Sequence, residues 1–172
     1  MSTFKGLVLA GLLLGSWAHA DELGPGLGEP VSHRALSEMD FTVLPNGDGL
    51  PAGQGTALLG SALYDQHCAS CHGEAGVGGA NAALVGGVGS LDTDRPLKTV
   101  GSFWPYAPTI FDYVRRSMPY PSPGILTDSE VYSVTAYLLF LNGMIKEDVV
   151  VSATTLPRVN MPNRDGFVLG ER

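Results

Sequence analysis

Five consecutive residues, Cys68-Ala-Ser-Cys71-His72, constrain this 172-residue chain more than any other feature. Their C-x-x-C-H spacing is typical of covalent haem attachment. Two thiols one helical turn apart reach the two vinyl-derived carbons on one edge of a porphyrin, and the adjacent histidine then lies under the iron. The motif therefore predicts one covalent haem c, attached at Cys68 and Cys71, with His72 as an iron ligand.

Three other uses of these cysteines explain the pattern less well. A thioredoxin-like redox pair follows a β-strand in a βαβ pattern, and no such strand precedes Cys68. A structural zinc site needs four ligands, and His67, Cys68, Cys71 and His72 are too close in sequence to close a tetrahedral shell. A disulfide, which is usual for two cysteines in an exported protein, leaves His72 unexplained. We expect His67 to be a surface or packing residue.

The first twenty residues have the pattern of a secretory signal. Lys5 precedes an apolar run from Gly6 to Trp17, and Ala18-His19-Ala20 supplies small residues for cleavage. The run is too short to span a bilayer, which takes about 20 residues, and no later stretch is long enough. We expect cleavage after Ala20 and a periplasmic mature protein with no membrane anchor, in agreement with thioether formation outside the cytoplasm.

The overall charge excludes one class of partner. The formal net charge is −7 and the pI about 4.9. Nucleic acid is excluded, because an acidic chain without a basic face cannot displace counterions from phosphates. The charge permits electrostatic steering towards a basic protein partner. With 23 glycines and 12 prolines, much of the chain should be loop.

The sequence divides into four segments. After the signal (residues 1–20) comes an acidic, Gly/Pro-rich segment, the arm (residues 21–54), which we expect to be extended. A haem domain follows over residues 55–143. A segment without a predicted helix, the tail (residues 144–172), ends the chain, and we expect it to bind a partner.

Three helices are predicted within the haem domain. Leu59, Leu63 and Tyr64 give helical spacing over residues 56–68. Gly60 lies inside this helix at a cost of about 1 kcal/mol relative to alanine, which close approach of a second helix would explain. Pro108 suits the first turn of a short helix ending near Ser117.

The last helix has the clearest start and stop signals. Thr127 and Glu130 form a capping box, and Gly143 suits the position just past the helix end. Between them, apolar residues at helical spacing predict one buried stripe of Val131, Val134, Leu138 and Leu141.

A methionine is the expected second axial ligand, because electron-transfer cytochromes commonly pair histidine with methionine. Met118 is the best candidate, since Pro119 stiffens its loop just before the capped helix. Met161 also precedes a proline and is the main competitor, although it lies far down the tail. Met39 precedes the haem motif, and Met144 directly follows the last helix. Core filling is the alternative role for each of them.

Several other residues between the motif and Met118 are candidates for haem contact. Trp104, Tyr106 and Tyr113 carry aromatic rings with polar tips, which suit the wall of a haem edge. Arg115 and Arg116 have the geometry to neutralise haem propionates. Their alternative role is as surface cations at a helix C-terminus, where positive charge is favoured.

These features resemble the class I cytochrome c family, an all-α fold that forms a small helical shell around a covalent haem. The resemblance covers about residues 55 to 143. It implies that the first and last helices cross near Gly60 and Tyr137. It rests on the following segments: Gly60-x-x-x-Tyr64, Cys68 to Gly73, Met118-Pro119, Leu126 to Glu130, and Ala136-Tyr137-Leu138.

A narrower resemblance involves residues 94–107 and 161–167. Both segments are similar to the cytochrome subunit of sulfane/sulfite dehydrogenases. That resemblance implies a molybdopterin-containing partner of the sulfite-oxidase type as electron donor and a further cytochrome c as acceptor. Two alternatives stay open: a free-standing electron carrier of a respiratory chain, and a haem sensor or enzyme with an open sixth site. The chain shows no catalytic set of its own.

Overall fold

The computed structural model describes residues 28–168 and residue 170. The predicted signal, with its cleavage after Ala20, lies outside the described residues. Within the described part of the chain, no helix is long and apolar enough to cross a membrane.

The described elements are mostly helical, as predicted for a class I cytochrome c fold. Five α-helices and two short strands follow one another in this order: α1 (His33–Met39), β1 (Gln54–Gly55), α2 (Ala57–His67), α3 (Ala69–His72), α4 (Ala107–Ser117), α5 (Asp128–Leu141) and β2 (Val151–Ser152). Short 3₁₀ turns at Glu74–Gly76 and Leu156–Arg158 complete them. All three predicted helices of the haem domain are confirmed as α2, α4 and α5.

Helices α2 and α5 cross in close contact at Gly60. A Cβ atom built on Gly60 would lie 2.0 Å from the Ser133 backbone oxygen and 2.8 Å from the Tyr137 Cβ. The crossing explains why a glycine interrupts an otherwise good helix. One turn further along α2, the rings of Tyr64 and Tyr137 pack with centroids 5.4 Å apart. The predicted crossing near Gly60 and Tyr137 is confirmed.

Helix α5 is the central element of the core. Its predicted capping box is present, with the Thr127 hydroxyl accepting from the Glu130 N–H and the Glu130 carboxylate accepting from the Thr127 N–H. The single predicted stripe is too narrow, because α5 is covered on several sides. Besides Val131, Val134 and Leu138, the buried residues include Tyr132, Ser133, Thr135, Ala136 and Leu139.

The arm is not purely extended. It contains the seven-residue helix α1, capped by the Ser32 hydroxyl, and it ends in strand β1. Val43 is buried, and its N–H donates to the buried Asp112 carboxylate of α4 at 3.0 Å. This bond joins the arm to the haem domain.

The tail is part of the core rather than a loose extension. Val151, Leu156 and Met161 are each at most 1% exposed. Strand β2 pairs antiparallel with β1 of the arm, Gln54 opposite Ser152 and Gly55 opposite Val151. Burying each such side chain stabilises the fold by about 1.5–3 kcal/mol. Deleting the tail would therefore remove core residues together with any partner-binding surface.

The close contact at Gly60 predicts that replacing this glycine by alanine lowers the stability of the protein, although alanine is the better helix former. Helix propensity alone makes Gly→Ala favourable by about 1 kcal/mol. We expect Gly60→Ala instead to lower the free energy of unfolding by about 2 kcal/mol or more, because the clash is with backbone that cannot rotate away. Denaturant unfolding of the purified haem protein measures this. Ala62→Val, which adds bulk on the exposed side of α2, is the control, and an equal loss in both variants would contradict the crossing.

The capping box predicts a pH dependence. The pKa of Glu130 is lowered, first by the Thr127 N–H and hydroxyl and then by His67. A lowered carboxyl pKa adds stability above the unfolded value, about 4.3, and that stability is lost as the pH falls through the folded value. We expect the stability advantage of wild type over Glu130→Gln to shrink as the pH falls below about 5. Glu147→Gln controls for the loss of one exposed charge; an unchanged Glu130→Gln difference would refute the role of the cap.

Candidate haem site

Cys68, Cys71 and His72 lie on one short helical segment directly after α2. Cys68 ends α2 and begins α3, and its carbonyl accepts from the Cys71 N–H at 3.1 Å and the His72 N–H at 3.0 Å. The two thiols are free and half-buried. One helical turn thus presents both cysteines and the histidine together, as covalent attachment to one porphyrin edge requires.

The His72 ring is oriented through one nitrogen, which leaves the other for iron. Its Nδ1 lies 2.8 Å from the Ala82 carbonyl oxygen. A carbonyl only accepts hydrogen bonds, so in the neutral ring the proton is on Nδ1 and the lone pair is on Nε2. A hydrogen bond from the second ring nitrogen to a backbone carbonyl is the usual support for a metal-binding histidine. The histidine therefore fits an axial iron ligand.

The raised pKa of Cys68 argues against a reactive redox pair at the motif. Burial, and then the neighbouring Cys71, raises the pKa of the Cys68 thiol to about 11. Reactive redox cysteines have a lowered thiol pKa instead. Among the residues that the structure describes, no group of three or more His, Cys, Asp or Glu side chains is arranged to hold a metal ion. A half-buried neutral sulfur suits a thioether.

The loop after His72 folds back tightly onto the motif. The Gly78 N–H donates to the His72 carbonyl and the Asn81 N–H to the Cys71 carbonyl, each at 2.8 Å. Gly73 has a φ of +80°, and a Cβ there would lie 2.1 Å from the Gly78 oxygen. Only glycine fits this position, so the loop can return at once and bring the Ala82 carbonyl to the His72 ring.

Asn142, at the end of α5, stabilises this loop through side-chain hydrogen bonds. Its Oδ1 accepts from the Gly86 N–H at 3.2 Å, and its Nδ2 donates to the carbonyls of Leu84 and Leu138. Sequence reasoning missed Asn142, as well as the Ala82 carbonyl. The position of Asn142 before Gly143 suggests only a helix cap. Its hydrogen bond to Gly86, 56 residues earlier, cannot be recognised from the sequence.

Buried Tyr64 secures the turn between the motif and α2. Its hydroxyl donates to the Gly73 carbonyl at 3.0 Å. Burial is the main cause that raises the pKa of Tyr64 to about 12. The phenol therefore stays a neutral donor at neutral pH.

The positions of the methionines favour Met118 as the second ligand. Met118 caps the end of α4, is half-buried at the border of the core, and precedes Pro119. Met161 is 1% exposed and enclosed by protein, so its side chain fills the core. Met39 is 72% exposed on α1. Met144 is half-buried after α5, which leaves it as the structural alternative.

Trp104 lies beside Tyr113 of α4, with ring centroids 5.7 Å apart in an edge-to-face arrangement. Trp104, Cys68 and Met118 all pack at the border of the same core. Tyr106 is arranged differently: its ring lies under the guanidinium of Arg164 in the tail, 4.7 Å away. The structure thus pairs Trp104 with Tyr113 of α4 and gives Tyr106 a partner in the tail, and the haem contacts of both stay predictions.

Both candidate arginines are engaged by protein carboxylates. The Nε of Arg115 lies 2.9 Å from Asp128 Oδ1, and its Nη1 donates to the Phe41 carbonyl. This ion pair lines an open groove of about 720 Å³ between the arm and the start of α5. Arg116 binds Asp112 four residues earlier on α4. Propionate binding by Arg115 stays a prediction, because the structure gives its charge another partner.

The family model described as Cytochrome c matches residues 57–142, half of the chain. The chain belongs to the cytochrome c family. Membership implies haem c and an electron-transfer role, and the donor set described above fits that group. None of the curated proteins compared with the chain matches it.

A solved structure extends the similarity beyond the haem domain. A chain in the crystal structure of the sulfane dehydrogenase SoxCD from Paracoccus pantotrophus is 42% identical, with a TM-score of 0.80. The match covers 87% of this chain and 74% of that one. About 22 residues of this chain remain uncovered, fewer than either the arm or the tail contains. The shared structure therefore includes parts of both.

The ligand assignment predicts different results for three methionines. In the haem-loaded protein, we expect Met118→Ala to abolish the sulfur-to-iron charge-transfer band and the low-spin His/Met spectrum. Met161→Ala should keep the spectrum and lower the free energy of unfolding by about 2–5 kcal/mol, because it leaves a cavity in the core. Met144→Ala is the control for a half-buried methionine. Loss of the band in Met144→Ala or Met161→Ala, but not in Met118→Ala, would overturn the assignment.

Proposed function

We propose that this cytochrome is the electron-transfer subunit of a periplasmic sulfur-compound dehydrogenase. A molybdopterin-containing subunit of the sulfite-oxidase type would oxidise the sulfur compound and deliver electrons to it. A further cytochrome c would then accept them. The observation that carries the proposal is the similarity to a chain of the sulfane dehydrogenase complex over parts of the arm and tail, outside the haem domain.

The site residues have separate roles in this proposal. Haem c, when bound, supplies reversible one-electron chemistry. Cys68 and Cys71 would hold it covalently, His72 would bind the iron through Nε2, and Met118 would provide the second ligand. The carbonyl of Ala82 fixes the His72 tautomer, and Trp104 covers part of the haem edge. These residues position and tune the cofactor, which carries the redox chemistry.

The arm and the tail support a dedicated partner over a free-standing carrier. Together they add two strands, a 3₁₀ turn and three fully buried tail side chains to the haem domain. None of these elements contributes a predicted haem contact, so the haem chemistry does not explain them. An ordered surface built onto the haem domain suits stable association with another subunit.

The test begins with recovery of the tagged chain from the periplasmic fraction of its native host under gentle conditions. We expect a molybdopterin-containing protein to co-purify, and a mature N-terminus at Asp21. Adding sulfite or another sulfur compound should then reduce the haem of the pair, followed by its absorbance. The cytochrome alone, with the same addition, is the control and should stay oxidised.

Other outcomes would contradict the proposal in distinguishable ways. A cytochrome recovered alone, with a His/Met spectrum and no reduction by sulfur compounds, would favour the free-standing carrier. A high-spin spectrum that is unchanged in Met118→Ala would favour a haem sensor or enzyme with an open sixth site.

A further inference from the structure

Cations and aromatic rings gather where the tail crosses the segment before α4. The Arg164 guanidinium lies 4.7 Å from the centre of the Tyr106 ring, and the Lys98 ammonium 5.1 Å from that of Phe103. Phe103 also meets Phe167 edge to face, with centroids 5.3 Å apart. We call these five residues the basic aromatic face. It joins the two segments, residues 94–107 and 161–167, that the second sequence resemblance singled out.

The face is held in place by the structure beneath it. Asn163 donates from Nδ2 to the Phe103 carbonyl at 2.8 Å, and the Arg164 N–H donates to the carbonyl of buried Met161. On the other segment, the buried side chains of Thr99 and Ser102 bind the backbone around them. A surface that is already ordered loses little conformational entropy on binding.

The charge of the face is opposite to that of the protein. The chain carries a formal net charge of −7, yet Lys98 and Arg164 are exposed and form no ion pair with any residue the structure describes. Arg115 and Arg116, in contrast, are both paired with carboxylates. Asp165, next to Arg164 in sequence, is exposed and likewise forms no ion pair with a residue of the described ranges. Two available cations over aromatic rings therefore favour an acidic partner.

Apolar side chains at the face are exposed to solvent. Phe167 is 55% exposed and Val168 beside it 91%. Aromatic side chains and arginine are the residues that most often dominate binding energy at protein interfaces. A complementary surface would offer an apolar pocket for Phe167 surrounded by carboxylates.

We propose that the basic aromatic face is the docking surface for the electron-donating subunit, a protein whose contact region is an apolar pocket with an acidic rim. This rests on the proposed function. The tail lies outside residues 57–142, the part matched by the general cytochrome c model, whereas the match to the sulfane dehydrogenase chain includes part of the tail. Arg164 and Phe167 therefore lie outside the part of the chain matched by the general cytochrome c model, whereas Lys98, Phe103 and Tyr106 lie inside it.

Docking here would place the donor beside a residue predicted at the haem edge. Trp104 directly follows Phe103, and its ring contacts Tyr113 of α4, the helix that ends just before Met118. A partner that contacts Phe103 would therefore lie next to Trp104, the following residue, which is predicted to line the haem edge. Binding strength and rate of reduction should depend on the same side chains.

The test uses the full haem-loaded chain and the molybdenum subunit that co-purifies with it. Arg164→Glu should lower the association rate constant about tenfold at low ionic strength, and the effect should shrink with added salt. Phe167→Ala should raise the dissociation constant about tenfold, mainly through faster dissociation. The controls are Lys146→Glu, which changes the charge equally, and Leu58→Ala, which truncates a side chain 68% exposed on α2; both should stay within about twofold.

The results separate this proposal from the proposed function. Haem spectra and thermal unfolding of each variant establish that the fold is intact. If wild type binds and is reduced but Arg164→Glu and Phe167→Ala behave like their controls, the docking surface is wrong and the proposed function stands. If wild type neither binds the molybdenum subunit nor is reduced by it, both fail. Self-association of wild type that Arg164→Glu abolishes, with partner binding unchanged, would assign the face to a second copy and overturn the proposal.

Discussion

The close crossing of α2 and α5 is the contact on which the rest of the structure depends. It brings the backbone of the two helices together at Gly60 and Ser133. From this crossing α2 leads directly into Cys68, so the direction of α2 sets where the haem motif lies. Helix α5 also packs against α4 through Tyr132 and Phe111, whose ring centroids are 4.4 Å apart. The two helices that lead towards the predicted iron ligands, α2 before His72 and α4 before Met118, thus both pack against α5.

The arm and tail form a second layer that depends on the same helix. Gly55 in β1 would clash with Ser133 of α5 if it carried a side chain, and β1 in turn pairs with β2 of the tail. Further along the tail, Pro157 packs against Gly47 of the arm. The haem domain is therefore one part of a single packed body. The arm and the tail, which a minimal cytochrome domain lacks, are held in place by packing against the core.

Charge is distributed unevenly between these layers. Asp112, Arg115, Arg116 and Asp128 neutralise one another at the junction of the arm, α4 and α5. Buried and half-buried charges are favourable only when paired in this way. The cations of the basic aromatic face lie at the surface, where water solvates them and no pairing is needed. Cationic side chains thus stabilise the fold at the junction, whereas those of the basic aromatic face remain available for a partner.

The sequence by itself determined the features that depend on neighbouring residues. The spacing of Cys68, Cys71 and His72 along one helical turn predicts haem attachment. The start of α5 is predicted by the local hydrogen bonds between Thr127 and Glu130. The fold class and the crossing near Gly60 followed from such local patterns together with the family resemblance. Only the tertiary structure decided what covers α5 on its other sides, that Met161 fills the core, and that Arg115 pairs with Asp128. Those outcomes depend on contacts between distant segments, such as the tail against the arm, and side-chain packing at long sequence separation leaves no periodic pattern to recognise.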